Sequence, residues 1–261
     1  MRYTSGGSYT SNFDFAVPRG IKLLLIANIG LFLLYFFADF FGMERLFEPF
    51  QLIPAQTVER LFFWQPFTYL FLHDPRGVSH ILLNMLMLFF AGKTLEETWG
   101  FRRFLRYYFL CGIGAALCVI VYGYVMGEKQ VATIGASGSI FGLLLAFGML
   151  FPDAVILLGM IFPIKAKYAV MIMGAIAFLG TLKGGGSVSH IAHLGGMLCG
   201  FLIIRAERKG KNVLGTRSGP GIVKQLEAAW RDYKLKRAKR KFEVYMNRQN
   251  KQNRGGGPYV Q

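Results

Sequence analysis

Long apolar runs alternate with charged, aromatic or glycine-rich segments along most of this chain. A run of about 20 apolar residues, at ~1.5 Å per residue in a helix, is long enough to cross a ~30 Å hydrocarbon core. The pattern predicts six membrane-spanning helices, at about Ile21 to Phe41, Val78 to Gly92, Tyr107 to Met126, Ser137 to Phe151, Tyr168 to Leu182 and His190 to Ile204. We therefore expect an all-α membrane protein.

The segments outside these spans differ in character. Residues 1–20 are mostly polar and rich in Gly and Ser, which predicts a disordered cytoplasmic N-terminus, and residues 21–205 hold the six helices. Residues 206–261 form a basic cytoplasmic tail. Within the helical part, residues 42–77 mix aromatic side chains with charges and prolines, which predicts a connection lying in the membrane interface. Residues 153–164 are apolar but too short to span, so we place them at the interface too.

The fourth predicted span is shorter than the others. It begins at Ser137 and stops before Pro152. About 15 residues cover ~22 Å, roughly three-quarters of the hydrocarbon thickness. If the Pro152 end lies at one surface, Ser137 begins below the other, at the floor of a cavity lined by water or protein.

Composition shows that the charge is separated from the apolar bulk. The chain has 261 residues, 53% of them hydrophobic, yet its formal net charge is +16. From Arg205 onward there are 16 Lys and Arg against 4 Asp and Glu, whereas Tyr107 to Met126 carries no charge. This indicates a membrane protein with a basic tail rather than a nucleic-acid binder. The first 20 residues contain no short apolar core, so we expect no cleavable signal peptide.

The distribution of Lys and Arg predicts the orientation. With both termini inside, 25 of the 30 Lys and Arg residues lie on the inner side. We therefore expect a multi-pass protein of a bacterial inner (plasma) membrane with both termini cytoplasmic. The tail from Leu226 to Asn247 is expected either to lie as an amphipathic helix on anionic lipids of the inner leaflet, or to be a solvated, partly helical segment.

A serine flanked by glycines marks the candidate chemistry. Residues 135–142 read Gly-Ala-Ser-Gly-Ser-Ile-Phe-Gly and lead directly into an apolar run. This places Ser137 at or near a helix N-terminus, where unpaired backbone N–H groups favour a developing negative charge. A simpler interpretation is that Gly138 and Gly142 only let two membrane helices approach closely.

A histidine in the sixth span favours the catalytic interpretation. His193 precedes Gly196 and Gly200, a second pair of small residues four apart. Two glycine-faced helices can pack backbone to backbone, which brings the Ser137 hydroxyl and the His193 imidazole within reach. The cysteines Cys111, Cys118 and Cys199 lie in apolar segments without metal-type spacing, so we expect no metal site, no disulfide framework and no cofactor.

Two more polar residues share a helix face in the second span. His80 and Asn84 are four residues apart, so their side chains point in the same direction. Ionisable residues within spans indicate function, but hydrogen bonding between helices is an equally open explanation. All four histidines, His73, His80, His190 and His193, fall at the outer ends of spans or in the loop leading to one.

Together these motifs resemble the rhomboid family of intramembrane serine proteases. The motifs are His80-x-x-x-Asn84, Ser137 in Gly135-x-Ser-Gly138, and Ala192-His193-x-x-Gly196-x-x-x-Gly200, supported by Phe71-Leu72-His73 and Leu95-Glu96. One departure is Gln65, after Trp64, where some members carry arginine. It puts the anchoring of the connection at residues 42–77 in doubt.

The resemblance implies a six-helix rhomboid core that hydrolyses a peptide bond in or beside the transmembrane segment of a membrane protein substrate. It implies that Ser137 is the nucleophile and His193 its general base. Asn84 and His80, with Gly135 and the Ser137 backbone N–H, would support the oxyanion.

Other functions fit the sequence less well. A catalytically inactive rhomboid-like binding module is the alternative, although such relatives normally lose the serine or the histidine. A transporter predicts internal repeats or polar residues across the midplane, a metalloprotease predicts His-Glu-x-x-His, and an α/β-hydrolase predicts Gly-x-Ser-x-Gly after a strand; the sequence has none of these.

Overall fold

The computed structural model describes residues 17–158, 162–182 and 187–214. Most of the predicted N-terminal segment and of the basic tail, including Leu226 to Asn247, lies outside the described residues, so both remain predictions. The chain divides into two compact units, residues 1–205 and residues 206–261.

Helices dominate the described part of the chain. They are α1 (Arg19–Phe40), α2 (Pro54–Glu59), α3 (Gln65–Thr68), α4 (Val78–Trp99), α5 (Phe101–Val125), α6 (Ser137–Leu150), α7 (Ala166–Leu182) and α8 (Ser187–Arg208). Two 3₁₀ helices, Glu44–Phe50 and Tyr69–Phe71, lie in the connection between α1 and α4. The strands β1 (Val155–Leu158) and β2 (Phe162–Lys165) pair antiparallel.

Membrane-spanning character is clear for four of the described helices. α1, α4, α5 and α8 are long and apolar enough to cross a bilayer, and α6 and α7 are apolar but shorter. The structure thus confirms a mainly helical chain with the make-up of an integral membrane protein. That α6 and α7 also cross the membrane, which a count of six requires, stays a prediction.

The predicted spans Val78 to Gly92 and Tyr107 to Met126 leave a charged connection at residues 93–106, and the structure shows helix there instead. Residues 93–106 are helical except at Gly100, whose positive φ of 80° ends α4 immediately before α5 begins. The charges are accommodated within helices: Lys93 Nζ lies 3.8 Å from Glu97 Oε1, and the Glu96 carboxylate is buried against the start of α1. Charged residues with such partners extend a helix beyond its apolar part.

The all-α prediction is also wrong between α6 and α7. There β1 and β2 form a hairpin in which Val155 faces Lys165 and Ile156 faces Ile164. The segment is rich in β-branched and aromatic residues, which favour strands, and it is too short for a spanning helix.

The long connection between α1 and α4 is ordered around one buried amide. Gln65 Oε1 accepts hydrogen bonds from the Ile53 N–H (3.1 Å) and the Thr57 hydroxyl (2.7 Å), and its Nε2 donates to Gln56 Oε1 (2.9 Å). Gln65 is fully buried. The glutamine therefore anchors this loop, and the doubt raised by the missing arginine does not apply.

The same connection is joined to the residues that lead into α6. Leu52 and Thr133 exchange backbone hydrogen bonds of 3.0 and 2.9 Å, and the Ala55 N–H donates to the Lys129 carbonyl (2.9 Å). The segment that leads into α6 is thus positioned by backbone hydrogen bonds to the connection between α1 and α4.

Helix α5 forms the centre of the packing. Its residues Tyr107, Tyr108, Cys111, Ala115 and Val119 are fully buried. Two buried tyrosine hydroxyls bond α5 to its neighbours. The Tyr107 hydroxyl of α5 donates to the Gly142 carbonyl at 3.0 Å, and the Tyr69 hydroxyl donates to the Gly112 carbonyl of α5 at 2.7 Å. These bonds fix α6 and the Tyr69–Phe71 turn against α5.

Candidate active site

Ser137 is the first residue of α6, as the glycine-flanked motif predicts. The preceding turn depends on Gly135, whose φ of 121° is unfavourable for residues with a side chain. The Gly135 N–H donates to the Tyr69 carbonyl (2.9 Å), which fixes this turn to the long connection. Ser137 thus lies in the first turn of α6, where backbone N–H groups have no acceptor within the helix.

His193, in α8, lies directly across from this serine. Its Nε2 is 2.9 Å from Ser137 Oγ, although the two residues are 56 positions apart in the chain. Both side chains are partly buried. With the ring proton on Nδ1, the Nε2 lone pair accepts the hydroxyl proton, which is the contact that a nucleophile and its base require.

Close packing of α6 and α8 brings the two side chains together. A Cβ at Gly196 would overlap the Gly138 carbonyl oxygen, and a Cβ at Gly142 would lie 3.1 Å from the Gly196 carbonyl oxygen. Gly200 lies instead against α5, where a Cβ would overlap the Tyr107 hydroxyl. The two glycines of α8 thus permit close contacts with two different helices: Gly196 packs against α6 and Gly200 packs against α5.

His193 also contacts an aromatic ring that the sequence motifs do not identify. Phe141 stacks on His193 with ring centroids 4.0 Å apart and ring planes within 2°. It lies four residues after Ser137, on the same face of α6. That spacing is the only sequence signal for it, and it does not identify the partner.

His80 and Asn84 project from α4 at the same end of the bundle. A Cβ at Gly135 would lie 3.2 Å from His80 Cε1 and 3.4 Å from Nε2, so the His80 ring lies beside the turn before Ser137. Asn84 is buried, and its Nδ2 has no hydrogen-bond partner among the described residues. An unused buried donor is available for a ligand.

The other two histidines, His73 and His190, lie beside His80 and His193 respectively. His73 is buried with its ring centroid 5.4 Å from that of His80, and burial, together with the nearby His80, lowers the pKa of His73 to about 4. It is therefore neutral at physiological pH. His190 lies edge-on to His193, with centroids 6.1 Å apart, and packs on Gly180 of α7.

The arrangement combines a hydroxyl, a base and several donors at one place. Within residues 17–158, 162–182 and 187–214, no group of three or more His, Cys, Asp or Glu side chains is arranged to hold a metal ion. Asp39, near the end of α1, is paired with Arg76 at 2.8 Å. The groups assembled are those of acyl transfer through a serine.

Comparisons with known proteins identify the family of this chain. A family model described as Rhomboid domain matches residues 61–209. RHOMBOID-like protein 1 of Arabidopsis thaliana is 29% identical over 228 residues, which cover 73% of this chain and 54% of that protein. Rhomboid protein 1, mitochondrial, of Saccharomyces cerevisiae is 34% identical over 126 residues, or 47% of this chain and 36% of that protein. Rhomboid-like protease 3 of Toxoplasma gondii is 29% identical over 142 residues, or 54% and 50%.

The chain spans about half the length, or less, of these relatives. The family model, however, covers the elements that carry His80, Asn84, Ser137 and His193, and it matches more than half of the chain. The family suggested by the motifs is thereby confirmed: this chain belongs to the rhomboid family.

Proposed function

We propose that this chain is an intramembrane serine endopeptidase that cleaves transmembrane segments of membrane protein substrates. The observation that carries the proposal is the 2.9 Å contact between Ser137 Oγ and His193 Nε2 at the start of α6. The printed name of one relative, Rhomboid-like protease 3 of Toxoplasma gondii, supports the same reaction class.

In the proposed reaction, Ser137 Oγ attacks the carbonyl carbon of the scissile peptide bond. His193 Nε2 takes the hydroxyl proton as the C–O bond forms, and then gives it to the leaving amine nitrogen as the C–N bond breaks. Water next attacks the acyl-serine ester, and His193 takes a proton from it and returns one to Ser137. One water is consumed and the enzyme is regenerated.

The oxyanion formed at each step needs hydrogen-bond donors. We assign this role to the Ser137 backbone N–H, the Asn84 amide and the His80 ring, with Gly135 providing the space in which the ring lies. The unpartnered Nδ2 of the buried Asn84 supports this assignment. Such donors act on charge that develops only in the transition state, so they raise turnover rather than substrate binding.

The substrate class follows from the burial of the serine. A transmembrane helix has its backbone groups paired internally, whereas a serine protease needs an extended segment. We therefore propose that substrates carry Gly, Pro or other poor helix formers near the end of the span that reaches Ser137.

The placement in the membrane is also a proposal. The excess of Lys and Arg in the predicted inner segments supports cytoplasmic termini, with Ser137 and His193 in the outer half of the bilayer. A bacterial inner membrane is an expectation that the charge distribution does not address; the relatives named above come from a plant, a yeast and Toxoplasma and add no support for it.

Reconstituted protein with a model transmembrane substrate tests the activity. Ser137→Ala and His193→Ala should each abolish cleavage, and a serine-directed probe should label the wild type at Ser137. Replacing the helix-breaking residues of the substrate with Leu should slow cleavage by the wild type.

Ser139→Ala is the matched control, because it removes a hydroxyl two residues further along α6 and should retain activity. Cleavage by Ser137→Ala at the rate of the wild type would refute the nucleophile. A folded wild type that binds substrate without cleaving it would instead favour the catalytically inactive binding module.

A further inference from the structure

The hairpin β1–β2 lies between α6 and α7, and hydrogen bonds join the two segments that flank it. The Ala166 N–H donates to the Ala154 carbonyl (2.8 Å), and the Lys167 N–H donates to the Pro152 carbonyl (3.2 Å). Both strands also contact α7. The position of the hairpin and the position of these helix ends are therefore coupled.

One face of the hairpin is exposed and carries apolar residues beside a lysine. Ile156 and Ile164 share one face and are partly buried, whereas Val155, Pro163 and Lys165 share the opposite face and are exposed. Val155 retains 66% of its accessible surface, and Phe162, which lies on the face of Ile156 and Ile164, retains 68%. Apolar exposure of this extent on a short element indicates contact with something other than water.

The charged groups beside this face give it a net positive charge. The Nζ atoms of Lys165 and Lys167 lie 3.3 and 3.2 Å from Asp153 Oδ1. The Lys167 and Lys165 side chains lower the pKa of Asp153, so its carboxylate is ionised at neutral pH. Two ammonium groups against one carboxylate leave one positive charge in excess, which favours an anionic partner.

The backbone of the hairpin limits how deeply it enters the bilayer. A two-stranded sheet has two outer edges with unpaired N–H and C=O groups, which are costly in hydrocarbon but are satisfied by water and headgroups. Apolar side chains favour the acyl chains, and the edges favour the headgroups. Both requirements are met only at the interface.

From this geometry we infer that the β1–β2 hairpin anchors the protein to an anionic phospholipid leaflet. Val155 and Pro163, which share a face with Lys165, insert between acyl chains, and the ammonium groups of Lys165 and Lys167 bind the headgroup phosphates. Because the hairpin contacts α7, whose first residues are hydrogen-bonded to the segment 152–154 that follows α6, this anchor fixes the level of these helix ends in the bilayer. The inference rests on the membrane character of the helices and not on catalysis.

Hydrogen exchange of the full chain in lipid nanodiscs tests the anchor. The backbone amides of residues 155–158 and 162–165 should exchange about fivefold more slowly with an equimolar mixture of phosphatidylglycerol and phosphatidylcholine than with phosphatidylcholine alone. That factor corresponds to about one basic side chain at an anionic surface. Equal exchange in the two lipids would overturn the inference, and this comparison needs no variant.

Charge variants identify the groups responsible. The double substitution Lys165→Gln with Lys167→Gln should remove the difference between the two lipids. Lys129→Gln is the matched control, because Lys129 is also an exposed lysine paired with one carboxylate, Glu59, at 2.9 Å, but precedes α6. A lipid effect that survives in the double variant, or disappears in Lys129→Gln as well, would contradict the assignment.

Discussion

At the scale of single residues, the orientation of the proposed base depends on an aromatic neighbour. Phe141 lies parallel to the His193 ring at 4.0 Å, and both Phe141 and Ser137 project from the same face of α6. In a Ser-His-Asp catalytic triad, the aspartate side chain holds the histidine in place. Here a stacked ring restricts its rotation, so we regard Phe141 as a positioning residue.

Removing the Phe141 ring should lower turnover without removing the nucleophile. In Phe141→Leu, His193 loses its stacking partner and samples other orientations. Since a misplacement of about 1 Å can cost on the order of 10²-fold, we expect kcat to fall about 10- to 100-fold while KM changes little. Steady-state cleavage of a transmembrane substrate measures both constants.

Phe141→Tyr keeps a ring at this position and should retain most of the activity. Thermal unfolding in detergent separates orientation from stability. A Phe141→Leu protein that is as active as the wild type would show that stacking does not position the base.

The sequence predicted the positions of the candidate site residues in the fold better than their surroundings. The distance of four between His80 and Asn84 fixed their common direction, and the glycines located Ser137 at the start of a helix. The partner of Phe141 could not be predicted, because helical spacing gives the face of α6 but not the residue of α8 that lies opposite. Contacts across 56 residues depend on packing that no local pattern encodes.

At the scale of helices, α6 and α8 meet through their backbones. The Gly196 Cα lies where any side chain would overlap the Gly138 carbonyl oxygen. Close approach of this kind needs glycine on both helices. It also determines the separation of the two reactive side chains.

A methyl group at this contact should separate the helices. Gly196→Ala is expected to destabilise the protein by about 1–3 kcal/mol, the usual cost of overpacking, and to lower turnover at least about tenfold through misplacement of His193. Chemical unfolding in detergent and substrate cleavage measure the two effects.

Gly30→Ala is the control for this substitution. Gly30 lies in α1 with nothing within 4 Å of a Cβ built there, so alanine should preserve activity and add up to about 1 kcal/mol of stability. If both variants behaved alike, the contact between α6 and α8 would not require glycine.

Element boundaries show where pattern reasoning fails. The apolar run correctly located α6, whose ends are set by Gly135 and by the Pro152 turn. It failed at α4, because hydropathy ends at Gly92 while the helix continues to Trp99 on charged residues that have partners. It also missed the hairpin, since a short apolar segment fits a strand or a helix equally well.

At the scale of the molecule, one carboxylate joins α1 to the matched domain. Glu96 in α4 accepts hydrogen bonds from the N–H groups of Gly20 (2.7 Å) and Ile21 (2.8 Å), and it is buried. The family match begins at residue 61, so α1 lies outside it. Glu96 thus connects a helix outside the matched region to one inside it.

Weakening this connection should destabilise the whole helical unit. In Glu96→Gln one of the two acceptor oxygens becomes a donor that faces an N–H group. A buried donor left without its acceptor costs about 1–3 kcal/mol, so the free energy of unfolding should fall by that amount. Denaturant titration of the protein in detergent measures it.

The neighbouring Glu97 provides the comparison. Glu97→Gln alters an exposed pair with Lys93 at 3.8 Å and should change stability very little. Equal stability of the Glu96 and Glu97 variants would mean that the hydrogen bonds between Glu96 and the start of α1 are not needed for the fold.

The positions of Ser137 and His193 have a consequence for biosynthesis. The serine lies on α6 and its partner on α8, 56 residues later, with the β1–β2 hairpin and α7 between them. A nascent chain that has inserted only as far as α7 carries a hydroxyl without a base. The proposed protease is therefore inactive while it is being translated. Activity begins only when α8 has packed against α6 and brought His193 to Ser137.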